Sequence, residues 1–139
     1  MFDAWIANLD RHEENWSVLQ APDGSRHLAP SYDHGNSLGF NLLDSKRAAI
    51  LGGNPPLNQW ATKAMAGRFE NGRKVSLVDH AANALRLAQE GTGQFWRDRI
   101  ASATIADLEA VVAAVPEMSE LARTFLLRLL EINRERLLT

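Results

Sequence analysis

Two hydroxyl residues in the second half of the chain, Ser76 and Thr104, each stand three positions before an aspartate and open an apolar run at helical spacing. A hydroxyl followed by an acid at the third position satisfies free N–H groups at a helix start from both sides. The Ser76 helix is expected to run to about Gln89, stopped by Gly91 and Gly93. The Thr104 helix carries Ile105, Leu108, Val111, Val112 and Val115 on one face and ends at Pro116. A short helix over 94–102 lies between them. A last helix over 117–138 presents Met118, Leu121, Phe125, Leu129 and Ile132 as one stripe, widened by Leu126, Leu127 and Leu130. Its arginines, Arg123, Arg128, Arg134 and Arg136, are accompanied by Glu120, Glu131 and Glu135 and read as a solvated face. Trp60, Phe95 and Trp96 fall at helical positions and are expected in the core.

The first half reads differently. Phe2 to Ala7 is expected to be helical, and the charge-dense Asn8 to Asn15 a loop. Trp16 to Leu19 has strand propensity, Pro22-Asp23-Gly24-Ser25 is a turn, and His27 to Pro30 returns as a second strand. Ser31 to Phe40 is loop again. A helix over 44–51, capped by Asp44 or Ser45, is broken by Gly52-Gly53-Asn54-Pro55-Pro56. Another is expected from Leu57 to Phe69, ended by Asn71-Gly72. The expected fold class is mainly α with a small β hairpin. It forms one domain over 1–139: loops and hairpin in 1–40, and a helical subdomain in 41–139.

Composition removes several functions. The chain has no Cys, so disulfides, thiolate catalysis and Cys-based zinc sites are excluded. Its net charge is −2 with His neutral. Residues 1–70 carry six basic and eight acidic groups and residues 71–139 carry nine of each, so no basic excess supports direct nucleic-acid binding. No G-x-S-x-G elbow and no i, i+4 pair of histidines occurs. The opening MFDAWIANLD lacks a basic leader region, and no run of about 20 apolar residues exists. A cytoplasmic protein without membrane spans is expected.

The chemistry-bearing residues concentrate near the N-terminus. Asp10 stands five residues before Asn15, and Asp33, two before Gly35, follows the expected hairpin. Phosphoryl transfer needs a carboxylate at the acceptor hydroxyl and hard oxygen ligands for the Mg²⁺ that accompanies ATP. The order Asp-xxxx-Asn, hairpin, Asp-x-Gly supplies these groups in the arrangement that kinases use. Taken singly, each piece is equally compatible with a solvated loop or a plain turn.

The segment from Trp5 to Trp16 contains Asn8-Leu9-Asp10-Arg11-His12-Glu13-Glu14-Asn15, and Leu28-Ala29-Pro30-Ser31-Tyr32-Asp33-His34-Gly35 follows it. Together they resemble HipA-type serine/threonine kinases, whose marks are an N-x-D-x-H-x-x-N loop and an L-x-P-x-Y-D segment. The D-R-H-x-x-N and D-H-G pieces also resemble the more distant phosphatidylinositol kinases. The match in motifs covers about residues 2–40. The resemblance implies a kinase C-terminal lobe. Asp10 would be the catalytic base, Asn15 and Asp33 the Mg²⁺ ligands, and Asn8 and His12 supports of the catalytic loop. Mg²⁺ and ATP would be the cofactor and co-substrate. Arg11 receives no role from it.

Kinases draw their Gly-rich phosphate loop and a phosphate-binding Lys from an N-terminal lobe. No G-x-G-x-x-G or G-x-x-x-x-G-K-[ST] is present, and the only lysines are Lys46, Lys63 and Lys74, all after Asp33. The expectation is a lobe inactive alone, completed by upstream sequence or a separate chain. Phe2, Trp5 and Phe40 are expected on the face turned towards that complement. A HipB-like antitoxin is a further possible partner, and the protein substrate is unknown. A lipid kinase lobe and a non-enzymatic interaction module derived from a kinase stay open beside the serine/threonine kinase.

Overall fold

A computed structural model describes residues 1–69 and 74–139. The helices are α1 (Phe2–Trp5), α2 (Asp44–Leu51), α3 (Leu57–Ala61), α4 (Leu77–Leu87), α5 (Thr92–Ser102), α6 (Ile105–Ala113) and α7 (Glu120–Leu138). A 3-10 turn covers Glu13–Asn15. Strands β1 (Val18–Gln20) and β2 (Arg26–Leu28) pair antiparallel in the register Val18↔Leu28, Leu19↔His27, Gln20↔Arg26. Gly24, at φ 84°, closes the turn between them.

The longest helix, α7, is the axis of the molecule and touches all six other α-helices. Its buried Phe125 and Leu129 pack with Ala7, Ile50, Leu57 and Ala61 on one side. Towards its C-terminus Leu137 joins a second cluster containing Ala4, Leu77, Val78, Ala81 and Ile100. Gly39 lies hard against the first cluster. A Cβ there would approach Leu42, Trp60 and Phe125 at 3.1–3.3 Å, at a φ of +64° that already favours glycine.

Polar groups stitch α1 to this axis. Trp5 Nε1 donates to the Leu130 carbonyl at 3.0 Å, and the buried Asn133 returns a bond from Nδ2 to the Trp5 carbonyl at 3.1 Å. Trp5 is therefore half-buried and anchored, not free on an outer face as expected. Phe2 and Phe40 are exposed. Three arginines of α7 are also tied down instead of solvated. Arg123 donates to the carbonyls of Val112 and Val115 at the end of α6. Arg134 binds those of Ile100 and Ala101 at the end of α5, and Arg136 that of Ala61 at the end of α3. Each guanidinium adds a donor to carbonyls at or just beyond a helix C-terminus, where the intrahelical bonds run out.

Several local expectations need correction. The helix expected over 57–69 stops at Ala61. Beyond it the chain turns to pair with the segment before α4: Ala66 N donates to Val75 O at 2.7 Å and Leu77 N to Ala64 O at 2.9 Å. Tertiary pairing overrides the helical propensity of the Lys63-Ala64-Met65-Ala66 stretch. The Asn71-Gly72 stop lies outside the described residues. Leu43, not Asp44 or Ser45, is the N-cap of α2. Asp44 instead accepts from Ser119 and Arg47, which holds its carboxyl below the usual carboxylate range. Gly93 lies inside α5, not at the end of α4. On α6 only Val112 is buried, while Val111 is 69 % exposed and Ile105 and Val115 are also open. Among the described residues this helix packs on α7 alone, so the rest of its apolar stripe is left open. Phe95 and Trp96 contact each other edge-on at the surface, whereas Trp60 packs against Phe125 as expected.

Candidate active site

The site is assembled from two loops laid side by side. Leu9 N donates to Asn36 O at 3.1 Å and Leu38 N to Ile6 O at 2.8 Å, so the segment after Asp33 runs along the segment before Asp10. Arg47, from α2, holds the far end of the second loop by donating to the Gly39 and Phe40 carbonyls.

Within the first loop, Asn8 is fully buried. Its Oδ1 accepts from Asp10 N at 3.2 Å, and its Nδ2 donates to Asp3 Oδ1 at 2.9 Å. An Asn accepting from the N–H two residues on closes a local turn that sets the direction of the backbone at Asp10. His12 caps the 3-10 turn: its Nδ1 accepts from Glu14 N at 3.4 Å, and its own N–H donates to Asn15 Oδ1 at 3.2 Å. That reciprocal pair points Asn15 inward, where it is 4 % exposed. Asn15 Nδ2 then reaches Asp33 Oδ2 at 2.8 Å. Asp33 itself sits in the left-handed region at φ 54°, which Asp tolerates better than most residues.

Arg11, which received no role from sequence, is the hub of this arrangement. It is 6 % exposed. Its Nε contacts both oxygens of Asp3 at 3.1 Å, and Nη2 lies 2.8 Å from Asp3 Oδ1. Nη1 donates to the carbonyls of Asn15 and Tyr32, both at 2.7 Å, and Nη2 lies 2.9 Å from His34 Nδ1. One side chain therefore ties α1, the end of the first loop and both neighbours of Asp33 together. Tyr32 OH adds a bond to Glu14 O at 3.0 Å, and Phe2 packs edge-on against His34.

Asp10 stands apart from the Asn15–Asp33 pair in how it is held. Its partner is Arg68, 58 residues later in the chain: Nε donates to Oδ1 at 3.0 Å and Nη2 lies 2.9 Å from the same oxygen. Neither Arg11 nor Arg68 could be assigned to these partners from local spacing, and Arg68 was expected on a helix that does not extend that far. A cleft of about 430 Å³ adjoins the site, lined by Asp3, Arg11, Asn15, Trp16, Leu28 and Phe69 among others.

The donor set suits a hard cation. Asp33 offers carboxylate oxygens, and Asn15 Oδ1 keeps a lone pair beyond the one engaged by His12 N–H. Among the described residues no group of three His, Cys, Asp or Glu gathers in one place. A Mg²⁺ here would thus have two protein ligands and take the rest from phosphate and water, the usual arrangement at nucleotide sites.

No family model matches the chain, and no curated protein matches it. Among solved structures, the chain is similar to the crystal structure of a Helicobacter pylori proinflammatory kinase, CtkA. The similarity covers 96 % of this chain and 49 % of that one, at a TM-score of 0.68 and 22 % identity. The chain has a kinase-like fold: a helical body with a two-stranded hairpin, in keeping with a C-terminal lobe. It spans about half the length of the structure it matches. Among the described residues, no helix is long and apolar enough to cross a membrane.

Proposed function

We propose that this chain is the catalytic lobe of an ATP-dependent serine/threonine kinase of HipA type, acting in the cytoplasm and completed by a nucleotide-binding lobe from outside these 139 residues. The observation that carries this reading is the 2.8 Å contact between Asn15 and Asp33 across two loops locked by Arg11. Two residues singled out as metal ligands from their order in the sequence meet in space. A kinase-like fold raises the prior, but function is argued from the site.

In this mechanism Asp10 orients the acceptor hydroxyl and takes its proton as the hydroxyl oxygen bonds to the γ-phosphorus and the bond to the ADP oxygen breaks. Asp33 and Asn15 would hold Mg²⁺, which would offset the negative charge of the ATP phosphates. Asn8 fixes the backbone at Asp10, and His12 fixes Asn15. The Gly-rich loop and phosphate-binding Lys come from the complementary lobe. The exposed hairpin, with Trp16, Val18 and Leu28 open, is the surface on which that lobe would close.

The test is phosphotransfer and Mg-ATP binding with the complementary lobe present. Asp33→Asn is expected to lose metal-dependent ATP binding and turnover together. Asp10→Asn is expected to keep binding and lose turnover by about 10²-fold or more, the scale of a lost general base. Identical behaviour of the two variants would refute this division of roles. No effect of either on phosphotransfer would favour the non-enzymatic module.

A further inference from the structure

The contact between Arg68 and Asp10 joins residues 58 positions apart, and its geometry is one-sided. Both the Nε bond at 3.0 Å and the Nη2 approach at 2.9 Å go to Oδ1. Among the described residues no hydrogen bond is made to Oδ2. A guanidinium that served only as an ion-pair partner would gain most from the parallel two-oxygen fork that Arg and carboxylate favour. Here the fork closes on one oxygen and leaves the other open. Both side chains are accessible, Asp10 at 39 % and Arg68 at 59 %, so an acceptor can reach the open oxygen.

Arg68 is not a loose surface side chain. Two residues earlier, Ala66 is buried and its N–H is bonded to Val75 O at 2.7 Å. One residue later, Phe69 packs on the His80 ring of α4 with centroids 4.9 Å apart, and its N–H donates to Ala66 O. Arg68 therefore projects from a short turn held at both ends.

We infer that Arg68 is a positioning residue for Asp10: it fixes the carboxylate by Oδ1 and leaves Oδ2 to receive the proton of the acceptor hydroxyl. The inference rests on the phosphotransfer reading above. Two donors on one oxygen stop rotation of the carboxylate, so the open oxygen is presented in one direction. Orientation of this kind is worth large rate factors when the reacting atoms must be in line.

The experiment is steady-state phosphotransfer by the protein together with its complementary lobe, comparing Arg68→Gln, Arg68→Lys, Asp10→Asn and the Arg68→Gln/Asp10→Asn double variant. Arg68→Gln is expected to lower kcat on the order of 10- to 100-fold. KM for ATP and the unfolding midpoint should stay unchanged, because an exposed pair contributes little to stability. Arg68→Lys should recover only part of kcat, since an ammonium has charge but no planar fork. In the Asp10→Asn background Arg68→Gln should cost nothing further, which a merely structural role would not produce. Unchanged kcat, or an equal loss with and without Asp10, overturns the inference. A raised kcat also overturns it and makes Arg68 a brake on Asp10. If the unsubstituted protein transfers no phosphate, the kinase reading itself fails, and the role of Arg68 falls with it.

Discussion

Removing the Arg11 side chain is the most informative perturbation of this fold. Arg11→Ala leaves the Asp3 carboxylate, the carbonyls of Asn15 and Tyr32, and His34 Nδ1 without their shared donor. Breaking a buried ion pair by deleting one partner costs about 3–5 kcal/mol. Asp3 is one quarter exposed and Tyr32 is at the surface, so water can replace part of what is lost. The lower end, about 3 kcal/mol, is therefore expected. A chain of this length gains roughly 0.3 kcal/mol/K of unfolding entropy, so the midpoint should fall by about 10 °C. Thermal denaturation followed by far-ultraviolet circular dichroism measures this directly. Arg11→Lys preserves the charge but cannot reach four partners at once, and should fall between the two. Arg68→Gln is the control, an exposed pair whose loss costs about 0–1 kcal/mol. If Arg11→Ala and Arg68→Gln lower the midpoint equally, or Arg11→Ala lowers it by less than about 3 °C, the hub assignment is wrong.

Other outcomes follow from the same contacts. Asn133→Leu should destabilise the chain by about 1–3 kcal/mol, because the Trp5 carbonyl loses its buried donor and Arg136 loses an acceptor; chemical denaturation reads this. Thr104→Ala removes the side chain that accepts from Asp107 N and should cost about 1 kcal/mol in the same assay. The bonds from Thr104 to the Asp107 carboxylate hold its pKa below the ordinary value. The stabilisation from this depressed group is complete above the unfolded value of about 3.9 and lost as pH falls through the folded one. Protection factors of the amides at the start of α6 should therefore fall as pH drops below the ordinary Asp range of about 3.9, and constant protection factors down to about pH 2 would contradict this. Leu28→Gln, at a position 67 % exposed opposite Val18, should reduce binding of an apolar dye without moving the unfolding midpoint.

What the sequence made legible was local. The Thr104–Asp107 box lies within one helical turn, so a pattern four residues long is enough to announce it, and both of its bonds form. The hairpin was legible because Pro22-Asp23-Gly24-Ser25 dictates a turn whatever surrounds it, although each strand is one or two residues from its expected place. The helix over 57–69 failed for the opposite reason. Residues 63–66 are good helix formers, and only the returning chain at Val75 to Leu77 shows why they do otherwise. The α6 stripe failed in the same way. Its apolar spacing was read correctly, but periodicity names a face without saying how much of it a neighbour will cover.

The candidate site divides along the same line. Asp10, Asn15 and Asp33 could be picked out because phosphoryl transfer asks for particular groups in a particular order. What holds them could not, because Arg11 works through Asp3, Tyr32 and His34, which lie outside its own turn, where the period of no single helix or strand applies. The wiring also separates the three residues mechanically. Asn15 Nδ2 donates to Asp33 Oδ2 beside the buried guanidinium of Arg11, although Asp33 itself is exposed. Asp10 is turned by Asn8 on one side and gripped by an exposed arginine on the other. In the proposed kinase both aspartates are therefore accessible and each is held by one neighbour, Asp33 by Asn15 and Asp10 by Arg68, so that folding sets the direction in which each carboxylate is presented.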